Sequence, residues 1–240
     1  ETREAWTRQA SFLRRSVDIM AYDVRGFGAS PTGGADGTVR QMADDLAQVL
    51  SAMETGPVWL VGFSMGGVIG QRFALDFADL TKGLVLIASS STVGRAGEEF
   101  FRRRIELVTS GGLKALASIN AEDARGCFAA GSEKLISEYQ RLRVGAVREV
   151  EGYLNACRAM LGIKDGALTH SLGAIERPTL VIAGELDPYC PPRASKAIAT
   201  AIPGAELRVI SRAGHCVHWE AGDSTNELIR RFIGGEGGKA

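Results

Sequence analysis

Apolar residues along the chain change their period several times, and each change marks an element. Residues 17–22, Val-Asp-Ile-Met-Ala-Tyr, read as a strand that ends at Asp23-Val-Arg-Gly26. Val39, Met42, Leu46, Val49, Leu50 and Met53 recur at helical spacing and put one apolar face on a helix of about four turns. A second strand is predicted over 58–63, Val-Trp-Leu-Val-Gly-Phe, and a helix over 65–76 with Val68, Ile69 and Phe73 inward. Further strands are predicted over 84–88, 179–183 and 206–210. The last helix should start near Asp223, capped by Ser224 or Thr225, and bury Leu228, Phe232 and Ile233.

Near-continuous apolar strands separated by helices predict an α/β fold, its mainly parallel sheet covered on both faces. The rhythm breaks between 94 and 171, where the pattern is helical in pieces over 98–108, 113–120 and 133–160. That stretch is too long for one crossover connection. It predicts a helical lid over 94–171, inserted into a core made of 1–93 and 172–240. The glycine-rich residues 234–240 read as a flexible tail.

Composition narrows the class. With 240 residues, 45% hydrophobic and 23% charged, the chain can bury a full core as one large domain or one domain with an insertion. Disorder, collagen and coiled coil are excluded. Lys and Arg number 28, as do Asp and Glu, so no net charge draws the chain to nucleic acid or an acidic membrane. No apolar run approaches a membrane span, and residues 1–15 are too polar for a secretory signal, which points to the cytoplasm. Cys127, Cys157, Cys190 and Cys216 form no C-x-x-C pair and fit free thiols in a reducing compartment.

The strongest chemical signal is Gly62-Phe-Ser64-Met-Gly66, followed by Gly67, between a predicted strand and a predicted helix. A nucleophilic serine needs such a sharp turn to stand clear at the strand's carboxyl end, and side chains flanking it should collide with the turn. The helix N-terminus favours developing negative charge, and the Met65 N–H would donate to an oxyanion. A serine hydroxyl needs a base, and the base needs an orienting carboxylate, in the chain order Ser, Asp/Glu, His. Asp187 follows the strand at 179–183 and His215 follows the strand at 206–210, both at strand carboxyl ends where open parallel sheets gather their sites. Glu185 competes with Asp187 but lies less deep in the loop. His218 competes with His215, and with Trp219 and Glu220 it reads instead as fixing the loop or capping the next helix. A metal on His215 and His218 lacks a third ligand of suitable spacing. His170 reads as a surface or hinge residue, Cys216 as a small buried apolar residue, and Arg102-Arg-Arg104, flanked by Glu98, Glu99 and Glu106, as a solvated helix face.

Four segments resemble the α/β-hydrolase superfamily: Tyr22-Asp-Val-Arg-Gly-Phe-Gly-Ala-Ser30, Val61-Gly-Phe-Ser-Met-Gly-Gly67, Pro178-Thr-Leu-Val-Ile-Ala-Gly-Glu-Leu-Asp187 and Ala213-Gly-His-Cys-Val-His-Trp-Glu220. The resemblance implies that Ser64 is the nucleophile, Asp187 the acid and His215 the base. Softer signals resemble the 3-oxoadipate enol-lactonases of bacterial aromatic catabolism: Arg25-Gly-Phe-Gly-Ala-Ser-Pro31, Gly70-Gln71, Glu151-Gly-Tyr-Leu-Asn-Ala-Cys157, Pro191-Pro192 and Ile202-Pro-Gly-Ala205. Substrates of that branch are anionic, so a lid cation among Arg141, Arg143 and Arg158 should meet the carboxylate. Family members also carry earlier strands and a His-Gly-type loop that supplies a second oxyanion donor. The resemblance therefore implies upstream residues, on a longer chain or a separate segment.

The expected activity is that of a serine hydrolase cleaving a small ester or lactone through an acyl-enzyme, without metal or organic cofactor. A carbon–carbon bond hydrolase or haloperoxidase-like esterase would use the same residues. A non-catalytic ligand-binding protein on this fold is the alternative from another class.

Overall fold

The computed structural model describes residues 1–129 and 133–235. Four strands, β1 (Val58–Phe63), β2 (Thr81–Ile87), β3 (Thr179–Gly184) and β4 (Glu206–Ile210), make one sheet in that spatial order, every pair parallel. β2 and β3 are almost wholly buried, whereas β1 and β4 are half-exposed. The central strands therefore carry Val, Leu and Ile on both faces, as a doubly covered parallel sheet requires.

Alternate residues feed two cores. Leu84, Leu86 and Val181 pack with Met42 of α2 (Val39–Ala52), Val68 and Ile69 of α3 (Met65–Asp76) and Ile198 of α8 (Pro192–Ala201). Val85, Ile87, Leu180 and Ile182 face the other way, onto Leu13 of α1 (Thr7–Leu13), Val217 of α9 (Val217–Glu220) and Ile229 of α10 (Gly222–Ile233). Each such side chain, fully buried, contributes about 1.5–3 kcal/mol. The Thr38 hydroxyl caps α2 by accepting the Gln41 N–H at 3.1 Å.

Three expectations are corrected. Residues 17–22 form no strand: β1 pairs only with β2, and among the described residues nothing offers 17–22 a ladder. Apolar alternation supplies a face to bury but no hydrogen-bond partner, and Ile19 and Met20 stay partly exposed. The last helix starts at Gly222 without a side-chain cap, and it is Thr225, Asn226 and Ile229 that are fully buried; Leu228, Phe232 and Ile233 pack only partly. The predicted pieces at 98–108 and 113–120 belong to one helical run, α4 (Arg95–Gly126), broken at Gly112, where φ is 61° and ψ −153°. The predicted tail from 236 onward lies outside the described residues.

Between β2 and β3 the described residues are helical: α4, α5 (Glu133–Val144), α6 (Val150–Leu161) and α7 (Ala167–Ser171). Two motifs distant in sequence meet here. Gly26, with φ at 81°, touches Gly152 of α6 so closely that a Cβ on Gly152 would lie 2.3 Å from the Gly26 carbonyl oxygen. The Asn155 Oδ1 accepts the Gly37 N–H at 2.7 Å and fastens the same helix to the core. Because Gly152 meets backbone rather than a flexible side chain, Gly152→Ala is expected to lower stability in urea unfolding by about 1–3 kcal/mol.

Candidate active site

The chain leaves β1 and enters α3 through Ser64, whose φ of 51° and ψ of −116° no ordinary residue adopts freely. Such a conformation costs on the order of 1–3 kcal/mol and persists only where the surroundings over-determine it. Here the Ser64 N–H donates to the Ile87 carbonyl at 2.9 Å, and the Ser64 carbonyl accepts from the Gly67 N–H at 3.0 Å and the Ser89 hydroxyl at 2.9 Å. A Cβ at Gly62 would sit 2.4 Å from the Gly66 oxygen, and one at Gly67 would sit 2.5 Å from Ser89 Oγ. At Gly66 it would meet open space, so the expected crowding holds at Gly62 and not at Gly66. Met65 opens α3, so its N–H is among the first donors of a helix and has no partner within it.

The loops after β3 and β4 bring in the other two residues. His215 Nε2 lies 3.1 Å from Ser64 Oγ, and His215 Nδ1 lies 2.8 Å from Asp187 Oδ2. The other Asp187 oxygen accepts the backbone N–H groups of Tyr189 and Cys190 at 2.8 and 2.9 Å. One carboxylate thus shapes its own turn and holds the imidazole. Asp187 and His215 are 3% and 5% exposed, which keeps water from competing for their hydrogen bond. The Phe63 and Tyr189 rings pack against the imidazole with centroids at 4.8 and 5.2 Å. Burial by itself lowers the pKa of His215, but the hydrogen bond and charge of Asp187 outweigh it and leave the group above the ordinary histidine value.

The competitors are placed elsewhere. Glu185 is exposed and accepts the Arg212 N–H at 2.8 Å. His218 lies inside α9, fully buried between Trp6 and Phe63, and burial with the nearby His215 charge pulls its pKa down to about 3. Glu220 fixes the loop: its Oε2 accepts the Gly214 N–H at 2.7 Å and the Ala129 N–H at 3.2 Å, tying the residue before His215 to the segment after α4. Its spacing after Gly-His was visible in the sequence, but its partner at Ala129 was not. His170 is exposed on α7. Among the described residues, no three His, Cys, Asp or Glu side chains could hold a metal ion together.

Ser64 and His215 open on a cavity of about 1550 Å³ that runs along β1 toward residues 17–22. Of the three lid arginines, Arg143 lines it. Arg141 lines a separate small pocket at the surface, and Arg158 is exposed and paired with Glu151. Arg143 sits 3.6 Å from Asp123, a buried carboxylate that Arg104 also holds at 2.5 Å. Arg104 therefore departs from the expected solvated face: its guanidinium covers the Phe100 ring at 4.6 Å, while Arg102 pairs with Glu98 in solvent. The break at Gly112 folds the second half of α4 back, which brings Asp123 beside Arg104.

The fold and this arrangement define a class, and comparison with known proteins agrees. Residues 1–222 match the family described as "alpha/beta hydrolase fold", and the chain belongs to it, a hydrolase of that fold. Among curated relatives, "Putative carbamate hydrolase RutD" of Agrobacterium fabrum is 28% identical over 234 residues, 95% of this chain and 87% of the relative. Its namesake from Klebsiella pneumoniae is 26% identical over 230 residues, 94% of this chain and 84% of the relative. Among solved structures, a thermophilic esterase from Thermogutta terrifontis is 29% identical with a TM-score of 0.86, covering 97% of this chain and 85% of that one. The enol-lactonase from Burkholderia xenovorans shares the fold at a TM-score of 0.87 and 23% identity, covering 97% and 86%. Among the described residues no helix is long and apolar enough to cross a membrane.

Imidazole titration by NMR checks the electrostatics. His215 should titrate with a midpoint above 6.5, while His218 stays neutral until about pH 3. Asp187→Asn removes the largest influences that raise His215 and leaves the burial that lowers it, so its midpoint should fall from the unsubstituted protein's.

Proposed function

We propose that this protein is a serine hydrolase of small carboxylic esters or lactones, working through an acyl-enzyme. The observation that carries this is the continuous contact from Ser64 Oγ to His215 Nε2 at 3.1 Å and from His215 Nδ1 to Asp187 at 2.8 Å, at the wall of a cavity. His215 takes the Ser64 proton as the oxygen attacks the substrate carbonyl. Asp187 holds the tautomer and stabilises the imidazolium. The Met65 N–H at the head of α3 donates to the oxyanion. The alcohol or enolate leaves, and water deprotonated by His215 then releases the acid. An enol-lactone suits this site because its leaving enolate becomes a ketone. In that form the enzyme works in the cytoplasm, late in aromatic catabolism. The helical insertion over 94–171 serves as the lid. Relatives named as carbamate hydrolases support a second reading, in which the same attack falls on a carbamate carbonyl.

Arg143 would choose the substrate's charge. Asp123 already has Arg104, so the Arg143 cation is in surplus beside the cavity. One feature supports an anionic substrate over a neutral one: the guanidinium's fork of donors matches a carboxylate.

A fluorophosphonate probe should label the protein, and Ser64→Ala should abolish labelling and lower ester turnover by about 10⁴-fold or more. No labelling of the active-site serine in the folded protein would favour a non-catalytic binding protein instead. Because the base must be neutral, kcat/KM should rise with pH through a limb centred above 6.5. Arg143→Gln should cut kcat/KM for an anionic ester by roughly 10–100-fold while sparing a neutral one. Side-by-side turnover of an enol-lactone, a meta-cleavage product, a p-nitrophenyl ester and a carbamate separates the bond types.

A further inference from the structure

We propose that Cys127 and Cys216 form a dithiol that hydrogen peroxide closes to a disulfide, joining the end of α4 to the loop that carries His215. Neither residue is needed for the chemistry above. Cys127 is the residue that ends α4, and Cys216 directly follows His215. The Cys216 N–H donates to the Cys127 carbonyl at 2.9 Å. Ordinary covalent geometry then holds the two Cα atoms within about 7 Å, a span that a disulfide can bridge. Both thiols are free, and both are buried.

The surroundings set an order of reaction. Arg143 Nη1 stands 3.7 Å from Cys127 Sγ, and Cys127 lines the cavity through which a small oxidant enters. The Cys216 thiol donates toward Cys127 and, with Arg143, outweighs burial to hold the Cys127 thiol below its usual range. Cys216, losing that contact when it ionises, is held well above it by burial and by Cys127. The other two cysteines also line the cavity but, among the described residues, have no cation at the sulfur, and burial pushes Cys157 and Cys190 up to about 12. A thiol beside a guanidinium, with a second cysteine tied to it through the backbone, is the arrangement of an attacking and a resolving cysteine.

The chemistry balances. The Cys127 thiolate attacks one oxygen of hydrogen peroxide, the O–O bond breaks, and the departing hydroxide takes up a proton to leave as water. The sulfenic acid formed on Cys127 is then attacked by the Cys216 sulfur. The S–O bond breaks, and hydroxide leaves as water with the Cys216 proton. Two thiols and one peroxide give one disulfide and two waters. Closing the bond must draw the two sulfurs to about 2.05 Å, and the backbone that takes up the movement is that of His215's neighbour.

The test treats the full chain with hydrogen peroxide, maps its peptides without reduction and follows p-nitrophenyl ester turnover. The expected result is a linked peptide pair containing Cys127 and Cys216, with Cys157 and Cys190 still reduced. Turnover should fall on the order of 10²-fold, the scale of a catalytic group displaced by about 1 Å, and return with dithiothreitol. Relative to their own untreated rates, Cys127→Ser and Cys216→Ser should be insensitive. Retention of all four thiols, linkage through Cys157 or Cys190, or over-oxidation of Cys127 without a disulfide overturns the proposal. So does a disulfide that leaves turnover unchanged, or a loss of turnover that persists in Cys127→Ser. The turnover arm rests on the hydrolase proposal. The peptide map does not, so absent turnover with an intact Cys127–Cys216 link would count against the hydrolase proposal alone.

Discussion

The Ser64 backbone is the constraint on which the site depends. Its positive φ leaves the serine side chain standing off the end of β1 instead of lying along α3. The turn is over-determined from beneath by the Ile87 carbonyl and from the side by Ser89. Parallel strands put all their carboxyl ends on one rim, so the loops after β3 and β4 arrive where the serine stands. The relay spans 151 residues between Ser64 and His215 and 28 between His215 and Asp187, yet each link needs only an adjacent loop.

Two buried charge arrangements then divide the work. Asp187 holds the His215 imidazole with one oxygen and its own turn with the other, so it cannot swing away. Asp123, between Arg104 and Arg143, ties the two halves of α4 to each other and to α5. Burial dominates there and raises the Asp123 pKa despite two guanidinium neighbours. Arg104 makes the close pair at 2.5 Å, and Arg143 stands further off at 3.6 Å.

Much of this was legible from local pattern. The strands at 58–63 and 206–210 and the helix at 65–76 fall where their apolar periodicity puts them. Ser64, Asp187 and His215 could be picked out because each sits in a short motif at a strand end. What failed was information held by the partner rather than the segment. Residues 17–22 have strand-like residues but, among the described residues, no neighbour to pair with. Arg104 looked solvated because its carboxylate lies 19 residues away across a helix break. The contact between Cys127 and Cys216 joins residues 89 positions apart and leaves no local trace.

The meeting of Gly26 with Gly152 bears on the wall of the cavity. Two backbones in direct contact have no side chains between them to bend or change rotamer, so this point resists both sliding and compression. With Asn155 fastened one turn further along, α6 is pinned where it crosses the core. The part of α6 that follows this contact lines the cavity with Tyr153, Ala156, Cys157 and Met160. That stretch of cavity wall is thereby carried on the one portion of the helices after β2 that backbone contact fixes to the core.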